Sequence, residues 1–102
     1  MARRVDLQQE LTEIVGEGRV YFEPLESTKL RYPCLVYSLS YMYITHADNT
    51  PYRHDDRYQL TLITKDPDDD LIDKVAMGLP GIRFDRAYRS GSLHHYVYQL
   101  YR

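Results

Sequence analysis

From Cys34 to Ile44 the chain alternates with a period of two. Leu35, Tyr37, Leu39, Tyr41 and Tyr43 fall on one side, while the even positions begin apolar and then include Ser38 and Ser40. A second alternating run, Arg57 to Thr64, sets Tyr58, Leu60 and Leu62 on one side. Successive side chains of a strand point to opposite faces, so period-two patterning in β-favouring residues specifies strands. Pro33 stands at the head of the first run, where a missing N–H does least harm. The two runs predict an antiparallel hairpin, and the turn-rich stretch His46 to Asp56 between them predicts a long polar connecting loop. A chain built on such a pair must supply cover for the sheet's apolar face.

Two helices meet that need. Leu7, Leu11, Ile14 and Val15 recur at helical spacing, with Asp6 and Gln9 placed as a capping box, or with the helix starting a turn earlier; Gly16 and Gly18 end it. Arg19–Phe22 reads as a short strand and Glu23–Arg31 as a loop. Asp66-Pro67-Asp68-Asp69-Asp70 reads as a helix start: Asp66 caps, Pro67 takes the first helical position, and carboxylates favour the positive end of the dipole. Leu71, Ile72, Val75 and Ala76 then share a face, and Gly78 and Pro80 stop the helix. Two further strands follow, one with Ile82, Phe84 and Tyr88 on a face, the other with Tyr96, Tyr98 and Leu100, joined by a turn at 89–92. The order α-β-β-β-α-β-β predicts a single α+β domain over residues 1–102, a mostly antiparallel sheet with two helices on one face. The last strand is apolar on both sides, with Val97 and Tyr101 opposite Tyr96 and Tyr98. That predicts a second buried surface supplied by another chain.

Composition narrows the function classes. With 43% hydrophobic and 27% charged residues the chain has enough apolar content for one core, which disfavours disorder. A single cysteine, Cys34, excludes an internal disulfide framework and a Cys-rich zinc module. No apolar run reaches the roughly 18 residues of a membrane helix, and the first residues turn polar too soon for a signal peptide. A formal net charge of -2 argues against a dedicated nucleic-acid binder. Eleven tyrosines against two phenylalanines favour half-wet surfaces and protein contacts, as in a small intracellular or virion protein.

Catalytic signatures are weak. His94 and His95 are strand neighbours and point apart, so they do not share an ion. His46, Asp48, His54, Asp55 and Asp56 are metal-ligating types but match no closed site, and Asp66–Asp70 lacks the glycine and glutamate of a calcium loop. Cys34 reads as a small buried hydrophobe, and Ser27-Thr28 lacks a nucleophile elbow. Arg83, Arg86 and Arg89, with Asp85 and Tyr88 among them, read as an ion-paired strand face or subunit contact. The chain is read as a non-enzyme with no catalytic residue, no metal and no cofactor.

The words of the sequence add a resemblance. Tyr32-Pro33-Cys34-Leu35-Val36-Tyr37, then Ala47-Asp48-Asn49 with Tyr52, then Tyr58 leading into Thr61, follow one another. After them come Asp66-Pro67-Asp68, Leu79-Pro80, Phe84-Asp85-Arg86 with Tyr88, and Leu93-His94-His95. In this order they resemble a family of short tailed-bacteriophage neck proteins: tail completion, tail terminator or minor head–tail joining proteins. The resemblance implies a structural virion protein, made in the host cytoplasm, that forms a homo-oligomeric ring, expected to be hexameric, at the head-proximal end of the tail. Implied partners are the chain itself, the tail tube protein and head–tail connector proteins. DNA passes through the lumen without specific binding, and no membrane is involved. The residues expected at interfaces are Tyr96, Tyr98 and Tyr101, with Tyr41 and Tyr43 next. The alternative is a small nucleic-acid-binding module that stacks bases on a sheet face bearing arginine and tyrosine.

Overall fold

The computed structural model describes residues 3–47 and 50–102, excepting the side chains of 3, 45–47 and 50–55. Two helices, α1 (Arg3–Val15) and α2 (Leu71–Gly78), accompany five strands: β1 (Val20–Phe22), β2 (Cys34–Ala47), β3 (Thr50–Thr64), β4 (Ile82–Ser90) and β5 (Leu93–Tyr101). The strands form one sheet in the order β1-β2-β3-β5-β4. Only β1 runs parallel to its neighbour; the other pairings are antiparallel. The expected α+β architecture, in the expected element order, is the one observed.

Both helices cover the same face. Leu7, Leu11 and Val15 recur every fourth residue of α1 and meet Leu35, Tyr37, Leu60, Leu62, Tyr98 and Leu100 of the sheet, with Val75 and Leu79 closing the core from α2. Gly78 lets the helices approach, since a Cβ there would lie 3.1 Å from Ile14 Cδ1. Polar ties fix α1 on the sheet: the Tyr37 hydroxyl donates to Gln8 Oε1 at 2.6 Å, and Gln8 Nε2 donates to the Val20 carbonyl at 3.3 Å. Neither helix is long and apolar enough to cross a membrane among the described residues.

Two boundaries differ from expectation, and one open alternative is decided. The first helix starts at Arg3, the earlier of the two starts, and Asp6 falls inside its first turn. The second starts at Leu71, because the aspartates before it close tight turns instead. Asp66 Oδ1 accepts from the Asp68 N–H, and Asp69 Oδ1 accepts from the Leu71 N–H at 3.0 Å while its Oδ2 accepts from Thr64 Oγ1 at 2.9 Å. Asp70 holds the N-cap position without a side-chain cap bond. The largest difference is the expected loop at His46–Asp56. Both strands run through it, to Ala47 and from Thr50, so the hairpin continues as a two-stranded arm. Fourteen extended residues span roughly 46 Å at the usual rise, which accounts for a molecule measuring 52 × 26 × 24 Å.

Candidate functional site

Two bulges decide what the sheet presents on the face away from the helices. In β2, Leu39 pairs with Tyr58 and Tyr41 with Arg57, leaving Ser40 as an extra residue. One inserted residue shifts the alternation, so Tyr41 and Tyr43 leave the face of Leu35 and Tyr37 and join the outer one. The expectation that all five odd-numbered residues share a face is corrected there. Met42 and Ile44 take the helix-side face instead, on a part of the arm the helices leave open. Leu39, Tyr41, Met42, Tyr43 and Ile44 are 39%, 46%, 42%, 45% and 51% exposed, so the β2 strand of the arm is apolar and open on both sides, while the β3 strand beside it carries Arg53, His54, Asp55 and Asp56.

The second bulge lies in β4. Phe84 pairs with Tyr98 and Arg86 with Val97, which leaves Asp85 as the extra residue. Ile82 and Phe84 therefore face the helices while Tyr88 faces outward, correcting the expectation that the three share a side. Tyr88 stacks on His95 with ring centroids 4.6 Å apart and planes 12° from parallel. Nδ1 of that histidine is buried without a hydrogen-bond partner.

Around the root of the arm the outer face carries an aromatic and cationic strip. The Tyr41 and Tyr43 rings meet edge to face at 4.4 Å, and the Arg57 guanidinium lies 5.8 Å from the Tyr41 centroid. Tyr101 pairs with Arg57 across β3 and β5, and Arg83 lies 5.9 Å from its ring. Cation–π contacts of this kind hold aromatic faces in place at a surface. Arg86 is ion-paired to Asp85 at 2.9 Å, and Asp85 also accepts from Gln99 Nε2 at 3.1 Å.

The five tyrosines expected at interfaces divide by position. Tyr41, Tyr43 and Tyr101 are exposed on the outer face. Tyr96 is half-buried against the core, paired with Ala87. Tyr98 is wholly buried under α2: its hydroxyl donates to the Ile72 carbonyl at 2.9 Å and its ring meets the edge of Phe84. Met42 and Ile44 were not singled out by sequence, because the flip at Ser40 that sets their face has no local signature beyond a small polar residue in an apolar run.

The residues with chemical potential do not converge. Cys34 is fully buried, and burial pushes its thiol up from 9.0 to about 11, against a smaller opposing pull from Arg19. A thiol held protonated is not a nucleophile. His94 pairs with Thr64 and His95 with Ile63, on opposite faces. Of the histidines and aspartates in the hairpin, Asp48 and the side chains of His46, His54 and Asp55 lie outside those described. Among the described residues no three histidine, cysteine or acidic side chains come close enough to hold a metal ion. A pocket of about 200 Å³ between Pro33 and Asp69 is lined also by Thr64, Lys65 and Asp66, and its one hydroxyl–carboxylate contact, Thr64 to Asp69, belongs to the turn that leads into α2. No family model matches the chain, and no curated protein is significantly similar to it.

Proposed function

We propose that the chain is a non-enzymatic structural protein of a tailed-phage virion. In this reading it forms a six-membered ring at the head-proximal end of the tail, between the tail tube and the head–tail connector, with DNA passing through the lumen. The observation that carries it is the arm, whose exposed apolar residues on both faces call for protein cover. Isolated two-stranded ribbons are marginal in water, and a contiguous apolar surface of this kind marks a protein contact. The ordered neck-protein resemblance from Tyr32 to Tyr101 supplies the setting. A ring needs different surfaces on its two sides, and the arm and the outer sheet face with Tyr88 and Tyr101 are two such surfaces.

A second reading, a nucleic-acid-binding module, draws on Arg57 and Arg83 set over Tyr41 and Tyr101. The pairing of Arg86 with Asp85 and the formal net charge of -2 weigh against it. Light scattering and electron microscopy of the purified chain separate the two. Nucleic-acid-free rings near six times the 12.1 kDa subunit support the ring. A monomer or dimer that carries nucleic acid and binds single strands in a salt-dependent way overturns it.

A further inference from the structure

The two long edges of this sheet are built in opposite ways. At one end β4 presents Arg83, Asp85, Arg86 and Arg89 and a bulge at Asp85. Charges and bulges are the devices by which an edge strand is kept from pairing with another chain. At the other end β1 covers only Leu35–Tyr37 of β2, and the Glu23 carboxylate reaches the next outward donor, the Leu39 N–H, at 3.5 Å. Glu23 sits at φ 42, the only non-glycine residue with positive φ among those described, in the turn that ends β1. Beyond Leu39 the sheet order gives β2 no neighbour on that side among the described residues. From Cys34 to Thr45 the strand contains no charge and no proline. One edge is guarded and the other is open.

We propose that the open edge of β2, over Ser40–Ile44, pairs antiparallel with the same segment of a second copy, across a two-fold axis perpendicular to the sheet. An open edge selects an extended strand, because its unpaired N–H and C=O groups are satisfied by one. The side chains select this strand. Such an axis centres on a residue, so a side chain meets one from the same face of the other copy. Centred on Met42 or on Tyr43, it joins the tyrosines of both copies on the outer face and the Met42 and Ile44 side chains on the other. Aromatic meets aromatic and aliphatic meets aliphatic, pairs that stabilise a sheet, and no charge is buried or opposed. A strand with charges in these positions, such as β4, would bury them against apolar neighbours. The contact is isologous and closes as a dimer. It goes beyond the ring reading, since it covers tyrosines that a ring contact would use and must open before they serve one.

Cysteine variants and a charge variant of the full chain test the pairing. In an antiparallel ladder opposed Cα atoms are about 4.5–5.5 Å apart, within the span of a disulfide. Met42→Cys or Tyr43→Cys is expected to give a disulfide-linked dimer under mild oxidation, while Tyr88→Cys on the guarded edge gives none. The buried Cys34 provides a background checked in the unaltered chain. Met42→Lys sets a charge at the centre of the contact, against its own copy or against Ile44 according to the register, and is expected to weaken dimerisation at least about tenfold by sedimentation, with unchanged circular dichroism and melting of the monomer. A unaltered chain that stays monomeric at submillimolar concentration, a crosslink at Tyr88→Cys as strong as at the arm, or a mass indifferent to Met42→Lys overturns the pairing. A hexameric ring without either arm crosslink overturns the pairing and leaves the ring reading standing.

Discussion

Tyr98 shows how much a single side chain can mean one thing in sequence and another in structure. Its ring lies within the core and its hydroxyl is satisfied by the Ile72 carbonyl, so it ties β5 to α2. Truncating a buried aromatic removes both transfer energy and packing, and Tyr98→Ala is expected to cost about 3–5 kcal/mol in a urea melt. Tyr98→Phe removes only the hydrogen bond and leaves a buried carbonyl short of a donor, at a cost of about 1 kcal/mol. Burial, aided by the nearby Asp73 and Tyr96, pushes the hydroxyl up from 10.0 to about 12. A pKa raised on folding gives stability that is complete below the unfolded value and lost as pH climbs through the folded one. Stability is therefore expected to fall between pH 10 and 12, and Tyr98→Phe to flatten that fall when the melt is repeated across the range. Tyr96 and Tyr98 were legible as one side of a strand. Which side the helices cover was not, because both sides of β5 are apolar and periodicity carries no information about the neighbouring layer.

At the level of elements, the strands and helices were readable where one local signal dominated: alternation in β2 and β3, and fourfold spacing in α1. The reading lapsed where local signals conflict with pairing. Asp48, Asn49 and Pro51 spell a turn, yet β2 and β3 continue to Ala47 and from Thr50, because a ladder already in register extends at the cost of one residue pair at a time. The bulges at Ser40 and Asp85 are properties of two strands together, and so are invisible along either one. The start of β4 is another place where pairing decides identity. Gly81 has φ +82, its carbonyl accepts from the Tyr101 N–H at 3.1 Å, and a Cβ on it would stand 2.6 Å from the Tyr101 carbonyl oxygen. Gly81→Ala combines a left-handed backbone with a clash against main chain that cannot swing aside, and is expected to cost about 2 kcal/mol or more. Hydrogen exchange should show the loss first at the β4–β5 end near Tyr101. Asp69→Ala removes acceptors for the Leu71 N–H and the Thr64 hydroxyl together, and a cost of about 1–2 kcal/mol is expected, read as a lower melting midpoint.

Taken whole, the molecule is a body and an arm that depend on different residues. The body is held by one core between a sheet and two helices, and its polar ties, from Gln8 to Tyr37 and from Glu10 to Arg102 at 2.7 Å, lie at the body's seams. Among the described side chains of the arm beyond Ser40, Tyr41 to Ile44, none is in the core cluster. Stability and assembly should therefore separate cleanly on mutation. Tyr41→Ser with Tyr43→Ser removes two rings that are about half exposed and touch chiefly each other and Arg57. Its effect on the melting of the monomer is expected within about 0.5 kcal/mol, the ordinary range for surface substitutions. Its effect on self-association is expected to be large, because aromatic side chains at the centre of a contact carry a disproportionate share of its energy. The reverse holds for Tyr98→Ala, which should lower the melting midpoint without touching any exposed surface. Melting and sedimentation of both variants side by side check the separation. If the paired arm substitution lowers stability as much as Tyr98→Ala, the arm belongs to the body's fold, and its exposed tyrosines have a structural purpose inside one chain and none between chains.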